Sequence, residues 1–211
     1  MNGLARTENR DLTRQAREAL RGRWGLAIVA NIIYCVIVIG AQNIPKVGWG
    51  LGIIVGAPFA VGIAGFSLTI ARQQEAQIVQ IFDGIRIFLT CLGTYLLAIV
   101  FILLWSLLLI IPGIMASFSY AMIYFILADD DSVGPLQAIT RSKEMMRGNR
   151  WKLFCLSLRF IGWSLLCILT LGIGFLWLFP YMYVAFARFY DDIKPAAEKI
   201  EQSAVAREVM T

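Results

Sequence analysis

Histidine is absent from this chain of 211 residues. Its absence removes the Ser-His-Asp and Cys-His mechanisms and the commonest transition-metal ligand. Charge is scarce, with Asp, Glu, Lys and Arg at 16% against 59% apolar residues, far from the usage of soluble domains. Cysteine motifs are missing too. Cys35, Cys91, Cys155 and Cys167 lie in apolar runs and form no CxxC pair. They read as inert packing thiols, because an apolar setting disfavours the reactive thiolate. No glycine-rich phosphate loop ending in Lys-Ser/Thr is present, nor the spaced aspartates of lipid phosphotransferases. Nothing in the residues specifies a reaction.

What is present is a series of long uncharged apolar runs, each near the ~20 residues that a helix needs to cross a bilayer. They predict an all-α polytopic membrane protein with six spans, at about 24–44, 47–71, 85–111, 114–128, 151–171 and 175–190. Residues 85–128 are too long for one crossing, since 44 residues would extend roughly 66 Å as a helix. Pro112 and Gly113 are the strong breakers within that stretch and predict the turn there. Pro180 predicts a bend in the sixth span. The basic N-terminal leader is not expected to be a signal peptide: it reaches Arg23, and no clear cleavage motif follows.

Residues 1–23 form a basic leader. Within it, 8–21 read as a helix with Thr7 as N-cap and Gly22 as the stop. At 100° per residue Leu12, Ala16, Ala19 and Leu20 share one face, and Arg10, Arg14, Arg17 and Arg21 the other. Those arginines are candidate contacts for lipid phosphates or an acidic partner; the plainer alternative is an orientation signal with a solvated face. In the second span Gly52, Gly56, Ala60 and Ala64 recur every four residues, a spacing that predicts close helix packing. Residues 73–83 read as a short amphipathic helix with Ile78, Ile81, Phe82 and Ile85 on one side. Gly134-Pro135 opens another, carrying Arg141, Lys143 and Arg147. The tail from Asp191, residues 191–211, is polar and at most weakly helical by pattern.

Orientation follows from charge. With six spans and both ends inside, Lys46 is the single charged residue of the outer turns and Arg159 lies within a span. All other Lys and Arg fall on the cytoplasmic side, as the positive-inside rule requires. An internal repeat supports this arrangement. EALRGRWGL at 18–26 and EMMRGNRWKL at 144–153 share E-x-[LM]-R-G, then R-W-x-L. FDGIR at 82–86 keeps only the apolar residue, glycine and arginine. Three units are inferred, each a surface helix, a glycine, a basic residue and a transmembrane hairpin.

The aspartate cluster 129–131 fails as a calcium loop, because Val133 and Thr140 fall where carboxylates are required. It reads as a solvated helix entry. Arg159 sits eight residues past Trp151 with no carboxylate in any span to pair with it. Intramembrane charge is costly and marks a candidate site. Snorkelling to lipid phosphate and contact with an anionic solute are both open.

Several stretches carry a family resemblance: IIPGI at 110–114, SFSYAMIYFILADD at 117–130, AITRSKEMMRGNRWKLF at 138–154, LRFIGW at 158–163 and the FPY…A…FY pattern at 179–190. Together they resemble the bacterial multi-pass family catalogued as domain of unknown function 975. More distantly, they are similar to the membrane domain of some glycerophosphodiester phosphodiesterases. The resemblance implies a bacterial cytoplasmic membrane protein with six or so helices and supplies no activity. The expectation is a non-enzymatic membrane protein that engages lipid or a protein partner through its basic cytoplasmic face. The alternative is a small transporter or channel using Arg159 and the polar faces of spans four to six. Anionic membrane lipid is the expected partner, with a protein partner or homo-oligomer left open. No metal, cofactor or nucleic acid is expected.

Overall fold

The computed structural model describes residues 7–45, 48–108, 110–170 and 172–209, and among them it is helical throughout, without strands. The order is α1 (Asn9–Ala19), α2 (Trp24–Gln42), α3 (Gly48–Ala71), a 3-10 helix (Ile78–Ile85), α4 (Phe88–Leu108), α5 (Ile110–Ser119), α6 (Ile123–Asp129), α7 (Pro135–Met145), α8 (Arg150–Leu169) and α9 (Phe175–Val209). Four helices are long and apolar enough to cross a membrane: α2, most of α3, α4 and α8. Gly113–Asp129 is a shorter apolar stretch, interrupted at Tyr120–Met122.

α3 is the centre. Ala57, Phe59, Val61, Ile63, Phe66, Leu68 and Ile70 are all buried, so from Ala57 onward it is covered on most sides, as expected of a helix apolar all round. It packs against α2, the 3-10 helix, α4, α6 and α9. α2, α4 and α8 instead turn large apolar side chains outward, among them Val36, Leu89, Leu107, Leu165 and Leu169. In water such a surface would be an aggregation hazard; against hydrocarbon it costs nothing. The protein is membrane-embedded on this reading.

Several local expectations need correction. Thr7 is not the cap of α1: Glu8 holds that position, and the Thr7 hydroxyl donates instead to Asp192, at 2.7 Å. Pro112 and Gly113, expected to make the turn, are helical instead: α4 runs to Leu108, residue 109 lies outside the described residues, and Pro112 stands in the first turn of α5. A first-turn amide has no acceptor within its helix, so proline costs nothing there. Gly113 lets α5 close on α4, since a Cβ there would meet the Ser106 side chain. Pro180 lies buried inside α9 without ending it. The 73–83 segment is a 3-10 helix shifted to Ile78–Ile85. At three residues per turn, Ile81 and Gly84 point inward while Val79, Phe82 and Ile85 are exposed. Finally, α9 does not fade at Asp191 but continues to Val209. Beyond Pro195 that stretch is rich in Ala, Glu and Lys, strong helix formers that need no apolar face to extend an existing helix.

Two glycines of the sequence repeat share a conformation. Gly22 after α1 has φ of 81° and Gly148 after α7 has φ of 86°. Both close a surface helix in the left-handed region, and α2 and α8 begin two residues later. Gly84 has no such φ and sits inside the 3-10 helix, so the middle unit departs from the pattern.

Candidate functional site

The charged end of the bundle is organised by Asp129, the last residue of α6. Its carboxylate is buried, with 9% of the side chain exposed. Arg72, just past α3, reaches Asp129 Oδ1 at 2.6 Å, and Lys194 of α9 reaches Oδ2 at 2.5 Å. The Tyr190 hydroxyl donates to Oδ2 at 3.1 Å. Arg72 also grips Asp191, with Nη2 at 2.8 Å and Nε at 3.2 Å from Oδ1. One residue further, Asp192 accepts from Thr7 and pairs with Lys152 at 3.4 Å. The Asn9 amide donates to the Lys152 carbonyl. The ends of α3 and α6, the middle of α9 and the starts of α1 and α8 are thereby fastened together.

Burial by itself would raise the pKa of Asp129, but the Arg72 and Lys194 bonds overcome it and hold the group down at about 2. The same carboxylates push Arg72 upward. A carboxylate with both oxygens committed to cations suits a latch rather than a general base. The neighbouring aspartates diverge from it. Asp130 accepts from the Ser132 amide and hydroxyl and from Arg141, and Asp131 is exposed. Among the described residues no group of three His, Cys, Asp or Glu could hold a metal ion.

α1 lies on the bundle with its apolar face down. Leu12, Ala16 and Leu20 are at 0–1% exposure and Ala19 at 5%, against α9, α3 and α8. Tyr181 of α9 donates its hydroxyl to the Thr13 carbonyl at 3.1 Å. Arg10, Arg14, Arg17 and Arg21 are all exposed. Arg14 is flanked by Asp11 and Glu18 of its own helix at 4.0 and 3.7 Å, exposed pairs worth little. Arg17 is placed differently. Its guanidinium lies 5.8 Å from the Tyr181 ring centroid, a cation–π distance. It also borders a cavity of about 330 Å³ whose walls include Trp24, Trp163, Leu166, Trp177 and Tyr181.

The remaining sequence candidates are dispersed. Arg159 is exposed on α8 and does not border the Arg17 cavity. In the α3 stripe Ala64 is buried and Ala60 half-buried. A Cβ on Gly52 would touch the Gln42 side chain, whereas one on Gly56 would meet open space. The tightest approach to α3 lies outside the stripe, at Gly62, against the Ile81 backbone. The sequence reading also missed Arg23, which donates to the carbonyls of Gln73 and Gln74, and the Asp129 network. Its one local signal is that Arg72, Asp129 and Asp191 each stand at the immediate end of an apolar run.

Compared with known families, residues 106–197 match the model described as protein of unknown function (DUF975). The matched segment holds α5 to α8, the apolar part of α9 and the Asp129 latch, apart from Arg72. No curated protein matches the chain, and no solved structure does.

Proposed function

We propose that this protein is a non-enzymatic component of a bacterial cytoplasmic membrane that binds anionic lipid on its basic cytoplasmic face. The carrying observation is the placement of α1. Its leucine face is consumed by packing on the bundle, so what it offers outward is the arginine stripe. Arg17 sets a fixed cation beside an aromatic cavity. A headgroup phosphate on Arg17, with apolar chain against Trp24, Trp163 and Trp177, fits that pairing of charge and aromatic wall. Six crossings in three hairpins, with both termini inside, remain our topology; α5 with α6, and the first half of α9, supply the two crossings beyond the four long apolar helices.

Lipid retained by the purified full-length protein tests this reading by native mass spectrometry. Replacing Arg10, Arg14, Arg17 and Arg21 with glutamine should lower the number of anionic lipids retained, with loss of the lipid held at Arg17, while the variant stays folded. Equal retention of neutral and anionic lipid by the unaltered protein would refute it. The transporter alternative has less support, since Arg159 lies on the exposed side of α8 and borders neither the Arg17 cavity nor the cavity lined by Lys143 and Arg150. Reporter fusions after Arg72, Asp131 and Thr211 should read cytoplasmic, and fusions near Lys46, Gly113 and Gly172 external.

A further inference from the structure

A second cavity, of about 300 Å³, lies among α4, α5, α7 and the start of α8. It shares no residue with the Arg17 cavity. Its walls include Trp105, Met115, Ser119, Tyr120, Lys143 and Arg150. Two cations and no carboxylate border it among the described residues. Among the described residues neither Lys143 nor Arg150 has an ion-pair or hydrogen-bond partner, and the Nε of Arg150 is buried with no acceptor.

The fold has fixed this geometry firmly. The Ser142 hydroxyl donates to the Ser119 carbonyl at 2.8 Å, docking α7 at the break between α5 and α6. Gly148, in the left-handed region, then swings the chain into α8 so that Arg150 faces the same space as Lys143. Two like charges brought to one cavity repel, and the buried Nε of Arg150 is left without an acceptor. A guanidinium with an unused donor beside an ammonium matches a phosphate group. The surroundings add a second requirement. Trp105 and Met115 are half exposed, and Leu104, Leu107 and Ile114 beside them are exposed as well. The cavity therefore opens onto an apolar surface rather than onto the charged end of the bundle.

We infer that the Lys143–Arg150 cavity is a binding site for the phosphate of an anionic amphiphile, whose apolar part lies along Trp105 and Met115. Arg150 and Lys143 hold the phosphate oxygens, and the Tyr120 hydroxyl is placed to complete the shell.

The test uses delipidated full-length protein in an Arg17→Gln background, so that the α1 site is silent. Native mass spectrometry would follow titration with phosphatidylglycerol or phosphatidylcholine, and thermal shift would follow inorganic phosphate. One phosphatidylglycerol should bind, and Lys143→Gln with Arg150→Gln should weaken it about tenfold or more. Lys143→Gln alone, at an exposed position on α7, should weaken it in the same direction and leave the lipid-free protein as stable as before or more so. Stabilisation by inorganic phosphate without binding of phosphatidylglycerol would keep the anion site and overturn the amphiphile. Equal binding by the parent and by both variants, equal binding of the two lipids, or a lipid-free Lys143→Gln protein of lower stability would overturn the site altogether.

Discussion

Gly84 lies so close to the carbonyl of Pro58 that a Cβ could not stand between them, and Gly62 meets the carbonyl of Ile81 in the same way. The two contacts are reciprocal: each of α3 and the 3-10 helix offers one glycine and one carbonyl. The obstruction at each is backbone, which cannot rotate aside. Gly84→Ala and Gly62→Ala should each destabilise by about 2–3 kcal/mol through overpacking, read as a fall in Tm in detergent. Gly56→Ala, on the same helix but facing open space, should stay within about 0.5 kcal/mol of the parent.

Asp129→Asn removes the negative charge shared by Arg72 and Lys194 and one of the two oxygens that accept from them. Both cations lose a partner at a largely buried position, so a loss of about 3 kcal/mol is expected. Asp130→Asn, at an exposed pair with Arg141, should cost under about 1 kcal/mol. Comparing thermal unfolding of the two variants checks this; equal effects would refute the latch.

Acid should release the same latch. The Asp129 pKa is lowered on folding to about 2, below the ~3.9 of an unfolded aspartate. The stability it contributes is therefore whole above pH about 4 and is lost as pH falls toward 2, amounting to on the order of 2 kcal/mol. Unfolding of the parent should steepen across that window, and Asp129→Asn should lack the step.

Gln73 has φ of 60°, the one described non-glycine residue on the positive side. It ends α3 as glycine usually would, with its carbonyl and that of Gln74 taken up by Arg23. Gln73→Val should cost about 1–2 kcal/mol, because a β-branched side chain resists this conformation. Gln73→Gly should be neutral or mildly stabilising. Circular dichroism melts of the pair distinguish backbone strain from loss of the side chain.

Arg159→Gln should leave Tm unchanged or raise it, since it removes an exposed charge from an apolar helix without breaking any bond among the described residues. A lower Tm for the variant, with anionic lipid raising the Tm of the parent only, would assign Arg159 a structural phosphate.

The surface helices were legible where a single element carried the whole signal. The arginine stripe and leucine face of α1 needed only a 100° rotation per residue, and the turns at Gly22 and Gly148 only a repeated R-G. The 3-10 helix was harder, because α and 3-10 templates both pair Ile78 with Ile81 and part company only at Phe82, Gly84 and Ile85. Propensity outweighed pattern in α9, where a segment without an apolar face stays helical past Pro195 because Ala, Glu and Lys favour the helix. The Asp129 latch was out of reach. Its partners stand 57 and 65 residues away in sequence, and no periodicity relates positions joined only by folding. The Lys143–Arg150 cavity was hidden for the same reason, although each cation by itself looked like ordinary surface charge.

α9 has a mechanical consequence. Its 35 residues make a rod of roughly 52 Å, fastened by side chains near its middle at Tyr190, Asp191, Asp192 and Lys194. Whatever pulls or pushes on the distal half acts through a lever whose fulcrum is that cluster. Torque applied there reaches α6 through the Lys194–Asp129 pair before it reaches Ile193, the buried apolar residue next to it, so among the described side chains that ion pair is the first bond such a load would strain.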